Sequence, residues 1–181
     1  GLFIYGFDRG MMPDRDDFTE NAVENQIIKK DSIADDVSDF RKKLSNKALS
    51  IIDSSVRYAP DYVNISYPNG DVPPKTGVCT DVLIRSYRKL GIDLQKEVHE
   101  DMHANFSIYP KNWGASKTDT NIDHRRVPNL QVFFKRFGKE LPMSENPNDY
   151  QTGAIVTWMI NGKLPHIGIV TNKLSKDGKR R

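Results

Sequence analysis

The chain of 181 residues is long enough for one domain with a sizeable core, and 37% apolar with 28% charged residues is the balance of an ordinary globular protein. A net charge of +3, with ten acidic and four basic side chains in residues 1–40 and five basic against one acidic in 173–181, is too mild for a nucleic-acid partner, and no basic helix with interleaved aromatics supplies one. A single cysteine excludes an internal disulfide and a cysteine-rich zinc site, and no apolar run approaches the roughly 18 residues of a membrane span.

Residues 1–30 join an apolar start, Leu2 to Phe7, to an acidic segment, Asp14 to Glu20, and read as an arm that is poorly ordered by composition. The start lacks the basic region and length of an export signal, so any such signal would already have been removed. Residues 31–181 are expected to form a single domain. Asp31 or Ser32 can cap a helix running to about Tyr58, with Phe40, Leu44, Ala48, Ile51, Ile52 and Val56 on one apolar face, and Ala59-Pro60 ends it. A loop over 60–76 follows, with a short strand at Tyr62–Tyr67 and a turn at Asn69-Gly70.

The best-written helix comes next. Val82, Leu83, Tyr87 and Leu90 repeat at helical spacing, Gly91 can take the left-handed C′ position, and Thr76 or Gly77 can cap the front. Leu94, Val98, Met102 and Phe106 recur every fourth residue and predict another helix over about 93–105, stopped by Pro110. The segment 107–128 is rich in Asn, Asp, Gly and Ser and reads as a long surface loop. Pro128 in a first turn, then Leu130, Phe133, Phe134 and Phe137 before Gly138, gives a short amphipathic helix, and 139–152 reads as a polar loop. The period then changes to that of strands: Gly153 to Ile160, an Asn161-Gly162 hairpin, a return over His166 to Thr171, and a second turn at Asp177-Gly178. Helices first and antiparallel strands last make an α+β domain.

Cys79 falls in the first turn of its helix, where free N–H groups and the positive end of the dipole favour a thiolate nucleophile. A buried structural thiol is the alternative, since free cysteine is among the most buried residue types. His166, on a strand far away in sequence, is the candidate base that takes the thiol proton and returns it to a leaving group. Asp81 is expected to support the helix N-terminus. Asp123, His124, Arg125 and Arg126 concentrate charge in the long loop, either as a solvated turn with local ion pairs or as a rim that binds a substrate carboxylate through the planar arginine fork. His99-Glu100-Asp101-Met102-His103 satisfies H-E-x-x-H, which on a helix would hold zinc between His99 and His103 with Glu100 as base and His124 or Asp123 as the nearest third ligand. Asp101 counts against it, because that middle position is usually uncharged.

Gly77-Val78-Cys79-Thr80-Asp81 at a helix start, then Gly153-Ala154-Ile155-Val156 with Trp158, then His166-Ile167-Gly168-Ile169-Val170, resemble the NlpC-type branch of the papain-like cysteine peptidases, which includes bacterial cell-wall endopeptidases and amidases. Gly77 to Gly91, Asp119 to Leu130 and 153–170 together resemble a bacterial domain family of unknown function within that superfamily, over roughly 40–170. The resemblance implies a papain-like α+β fold with a nucleophile helix packed on a small antiparallel sheet that carries the histidine. It implies a peptidase or amidase that cleaves an amide bond of a peptide or peptidoglycan-like substrate through a thioester, without a cofactor, in the periplasm or outside the cell. The orienting residue of such a triad stands on the strand after the histidine. By register that position falls beyond residue 181, so the last strand or strands are expected to be missing, and Asn172 is the nearby in-chain substitute. The Cys79 backbone N–H would help hold an oxyanion. A non-catalytic cell-envelope binding module on the same fold is the alternative, marked by an unreactive Cys79, and the zinc protease is a third reading.

Overall fold

The computed structural model describes residues 39–176 and 178, together with the backbone of 3–7. Helix α1 occupies 39–50, and α2 (Cys79–Arg88), α3 (Leu94–Ala104) and α4 (Val127–Phe137) follow it. Strands β1 (Phe3–Phe7), β4 (Gly138–Leu141), β5 (Ile155–Ile160) and β6 (Leu164–Ile169) make an antiparallel sheet in the order β4-β1-β5-β6. Strands β2 (Arg57–Tyr58) and β3 (Thr76–Gly77) form a separate parallel pair. The described residues are thus mixed α+β, and none of their helices is long and apolar enough to cross a membrane.

The helices bury most of the faces that their spacing predicts, with Val82 of α2 exposed where burial was expected. In α3, Leu94, Val98 and Met102 are buried, and the Asp93 carboxylate caps the front by accepting the Gln95 N–H at 3.1 Å. Leu130, Phe133 and Phe134 of α4 are buried, with Pro128 in its first turn. Leu83, Ile84 and Tyr87 do the same for α2, which closes on Gly91 at φ +79° with the Ile92 N–H bonded to the Tyr87 carbonyl at 3.1 Å. On the sheet, Ile155 and Ile167 join the same core, and the Gln131 side chain donates to the Thr157 hydroxyl at 3.0 Å. Strand alternation then turns Trp158 and His166 to the opposite face.

Several elements depart from expectation for identifiable reasons. Helix α1 stops at 50, because the Asp53 carboxylate accepts the Ser55 N–H at 2.8 Å and offers the backbone a turn instead; Ile52 is exposed and Val56 half-buried. No strand forms over Tyr62–Tyr67. Its region bonds to side chains instead of a ladder: the Ile65 N–H goes to Asn121 at 2.8 Å, and the N–H groups of Asn69 and Gly70 go to Asp93 and Gln95. Thr76 and Gly77 lie in β3 and do not cap α2; the Asp81 carboxylate does, accepting the Val78 N–H at 2.7 Å. Phe106 leaves the α3 face for a separate short turn, Phe106–Ile108. The polar segment 139–152 begins inside β4, and the apolar start read as part of an arm supplies β1 between β4 and β5. Residues 8–30 of that arm, the caps Asp31 and Ser32, and Asp177 lie outside the described residues.

Candidate active site

Cys79 is the first residue of α2 and is half-buried. Its sulfur meets the backbone N–H groups of Ile167, Thr80 and Cys79 itself, which favour the thiolate, but burial outweighs them and pushes the thiol above its ordinary value, with the Asp81 charge adding to the rise. The helix end therefore does not make a resting thiolate. The contact with Ile167 follows from sheet geometry. Val170 donates to Ala154 at 2.9 Å, so by alternation the N–H of Ile167 points away from β5 toward the open edge of β6, where the start of α2 rests.

His166 is one residue from that contact. Its ring packs on Trp158, the residue opposite it in β5, with centroids 4.6 Å apart, and burial lowers its pKa. No hydrogen bond joins His166 to Cys79 or Asn172 among the described residues, and Asn172 is exposed. The strand and the thiol are brought together; the imidazole and the thiol are not yet paired.

Cys79 opens into a cavity of about 350 Å³ whose wall includes Tyr58, Tyr62, Trp113, Arg126, Pro128 and Pro165. That volume falls in the range of small-ligand sites. The expected charged rim divides in two here. Asp123, His124 and Arg125 are buried, in a short turn, Asp123–Arg125. The Arg125 guanidinium is spent on Asp81, with Nε and Nη2 donating to the two carboxylate oxygens at 2.9 and 3.0 Å. Asp123 accepts the Asp119 N–H, and burial lifts its carboxyl above the usual range. His124 is held neutral by burial, with its pKa lowered to about 4. The turn that carries these three folds inward onto α3 and α4, with Arg125 still reaching the cavity wall. Arg125 and Arg126 both reach the cavity wall, but only Arg126 lies against Trp113, its guanidinium 4.1 Å from the centre of the ring.

A family described as "Domain of unknown function (DUF1287)" matches residues 45–181. The chain belongs to this family. An "Uncharacterized protein YijF" of Escherichia coli (strain K12) is 50% identical over 135 residues, which is 75% of this chain and 66% of that relative, so the chain spans about two thirds of the relative's length. No solved structure matches the chain.

In this DUF1287 domain the H-E-x-x-H segment does lie on a helix, with its two imidazoles side by side and Glu100 directed elsewhere. His99 and His103 stack with centroids 6.0 Å apart, His99 meets the edge of Tyr67, and Glu100 turns to Lys96 at 3.8 Å. Among the described residues no three of His, Cys, Asp or Glu stand together to hold a metal, and His124 is committed to the interior. Sequence reading also misses the aromatic wall. Tyr62 was expected in a strand; instead its hydroxyl donates to Asp119 at 3.0 Å and accepts from Asn121 at 2.9 Å, which leaves its ring for the cavity. Trp113 carries no local signal beyond its place in a long loop.

Proposed function

We propose that this DUF1287 domain is a cysteine hydrolase of amide bonds, on a papain-like fold of NlpC type, acting on a cell-wall peptide in the bacterial envelope. The observation that carries the reading is the seat of the only cysteine: first turn of a helix, sulfur among backbone N–H groups, open to a ligand-sized cavity and against the strand that bears His166. Burial favours the neutral form of both thiol and imidazole, so the proton moves as attack occurs and not beforehand. His166 rests on Trp158 on the outer face of the sheet and must reach the sulfur around the open edge of β6. There it takes the Cys79 proton while sulfur bonds to the carbonyl carbon. The Cys79 N–H supports the oxyanion, the C–N bond breaks, and the amine departs with the proton returned by the imidazolium. Water then cleaves the thioester, giving acid and free thiol.

The raised thiol pKa and the unpaired geometry of Cys79 and His166 favour a second reading, a binding module on the same fold. Incubation with soluble muropeptides, followed by mass spectrometry, separates the two. The hydrolase reading expects new amine and acid fragments from the wild type and none from Cys79→Ala or His166→Ala. Fragments that persist in Cys79→Ala, or none from the wild type, would sink it.

A further inference from the structure

Among the charged side chains in the cavity wall, Arg125 and Arg126 differ in kind. Arg125 has its carboxylate already, and its remaining nitrogen, Nη1, donates to the Asp61 carbonyl at 3.4 Å. Arg126 has no ion pair and no side-chain hydrogen bond among the described residues, and its guanidinium carbon lies over the Trp113 ring, 4.1 Å from the ring centre, within cation–π range. Apart from Cys79, the rest of the wall is aromatic, aliphatic or proline: Tyr58 and Tyr62 are largely exposed, and Val78, Ile122, Val127 and three prolines also line it. Such a surface offers apolar contact to a ligand body but one charged fork to a specific group.

We infer that Arg126, stacked on Trp113 beside Cys79, is a specificity residue that binds a free carboxylate of the ligand, so that the site selects carboxylate-bearing peptides over their amidated counterparts. The placing of that carboxylate near a scissile bond rests on the hydrolase reading; the recognition itself does not. The contact with Trp113 restrains the guanidinium before binding, which lowers the ordering cost of a two-point hydrogen bond to a carboxylate. Arg125 cannot share this work, because Asp81 already occupies its fork.

The test uses the Cys79→Ala chain, in which binding is measured without turnover. The probes are the tetrapeptide L-Ala-γ-D-Glu-L-Lys-D-Ala and versions amidated at the D-Glu α-carboxyl, at the C-terminus, or at both, titrated by calorimetry. The free peptide is expected to bind about tenfold more tightly than the doubly amidated one. Arg126→Gln should remove that ratio while leaving the amidated peptide's affinity unchanged, which also reports an intact fold, and Arg126→Lys should keep part of it. The single amidation that reproduces the loss identifies the carboxylate used. Equal affinities, a preference that survives Arg126→Gln, or no binding at millimolar peptide would each overturn the proposal. Cleavage by the wild type is scored separately: discrimination without cleavage removes the hydrolase reading and leaves the carboxylate site, and cleavage without discrimination does the reverse.

Discussion

Two environments act on Cys79 in opposite senses. The helix start and the Ile167 N–H stabilise a thiolate, but loss of water around the sulfur costs more, and the net shift is upward. Iodoacetamide labelling should therefore keep accelerating with pH past the ordinary thiol value near 8.5; a rate that levels off below pH 7 would show the helix end prevailing. His124 presents the same physics with a base. Its folded pKa of about 4 lies below the ordinary 6.5. A depressed pKa means that the unfolded chain binds the extra proton in that window, so the stability it confers is present above pH 6.5 and drains away as pH falls toward 4. The full loss is on the order of 3 kcal/mol. Urea midpoints measured at pH 7 and pH 4.5 should diverge in the wild type and much less in His124→Gln. An equal drop in both would assign acid sensitivity to other groups. At this scale the sequence showed which residues could carry chemistry. It could not show their water content, since Cys79 and His124 are buried by segments distant in sequence.

The start of α2 shows how one element is tied to another. Asp81 accepts the Val78 N–H at 2.7 Å and also takes both prongs of Arg125, while the Thr80 hydroxyl donates to the Arg125 carbonyl at 3.0 Å. The turn at Asp123–Arg125 is thereby clamped to the helix that carries Cys79. Both charges are nearly inaccessible, so removing one leaves the other unpaired in a poor solvent for it. Arg125→Met or Asp81→Leu alone should each cost about 3–5 kcal/mol. The double substitution should cost well below the sum, by about 2 kcal/mol or more, as read from urea denaturation. Strict additivity would mean the pair is not coupled. Asp81 was legible as a helix-start residue from its position; its partner, 44 residues later, was not, because a charge-rich loop gives no local sign of folding inward.

At the scale of the whole molecule, α1 and the start of β5 approach closely at Gly153. Gly153 precedes β5 at φ +80°, and a Cβ there would lie 2.3 Å from the Arg41 carbonyl oxygen and 2.6 Å from its Cα. Gly162 in the β5–β6 turn has a similar φ of +68° but open space around it. Gly162→Ala should thus cost only the backbone term, about 1 kcal/mol, and Gly153→Ala about 3 kcal/mol through the added clash. Equal shifts in the urea midpoint would show that α1 yields without cost.

Helices α2, α3 and α4, most of their apolar faces, the Gly91 stop and the β5–β6 hairpin followed from sequence alone, because 3.6-residue spacing and an Asn-Gly turn are written within a dozen neighbouring residues. The seat of Cys79 at a helix start was legible for the same reason. Tertiary structure decided the rest. It set β1 beside β5, drew Asp123, His124 and Arg125 inside, left Arg126 on Trp113, and turned His166 toward Trp158. Those outcomes depend on which distant surfaces exclude water from one another, and local spacing carries no record of that.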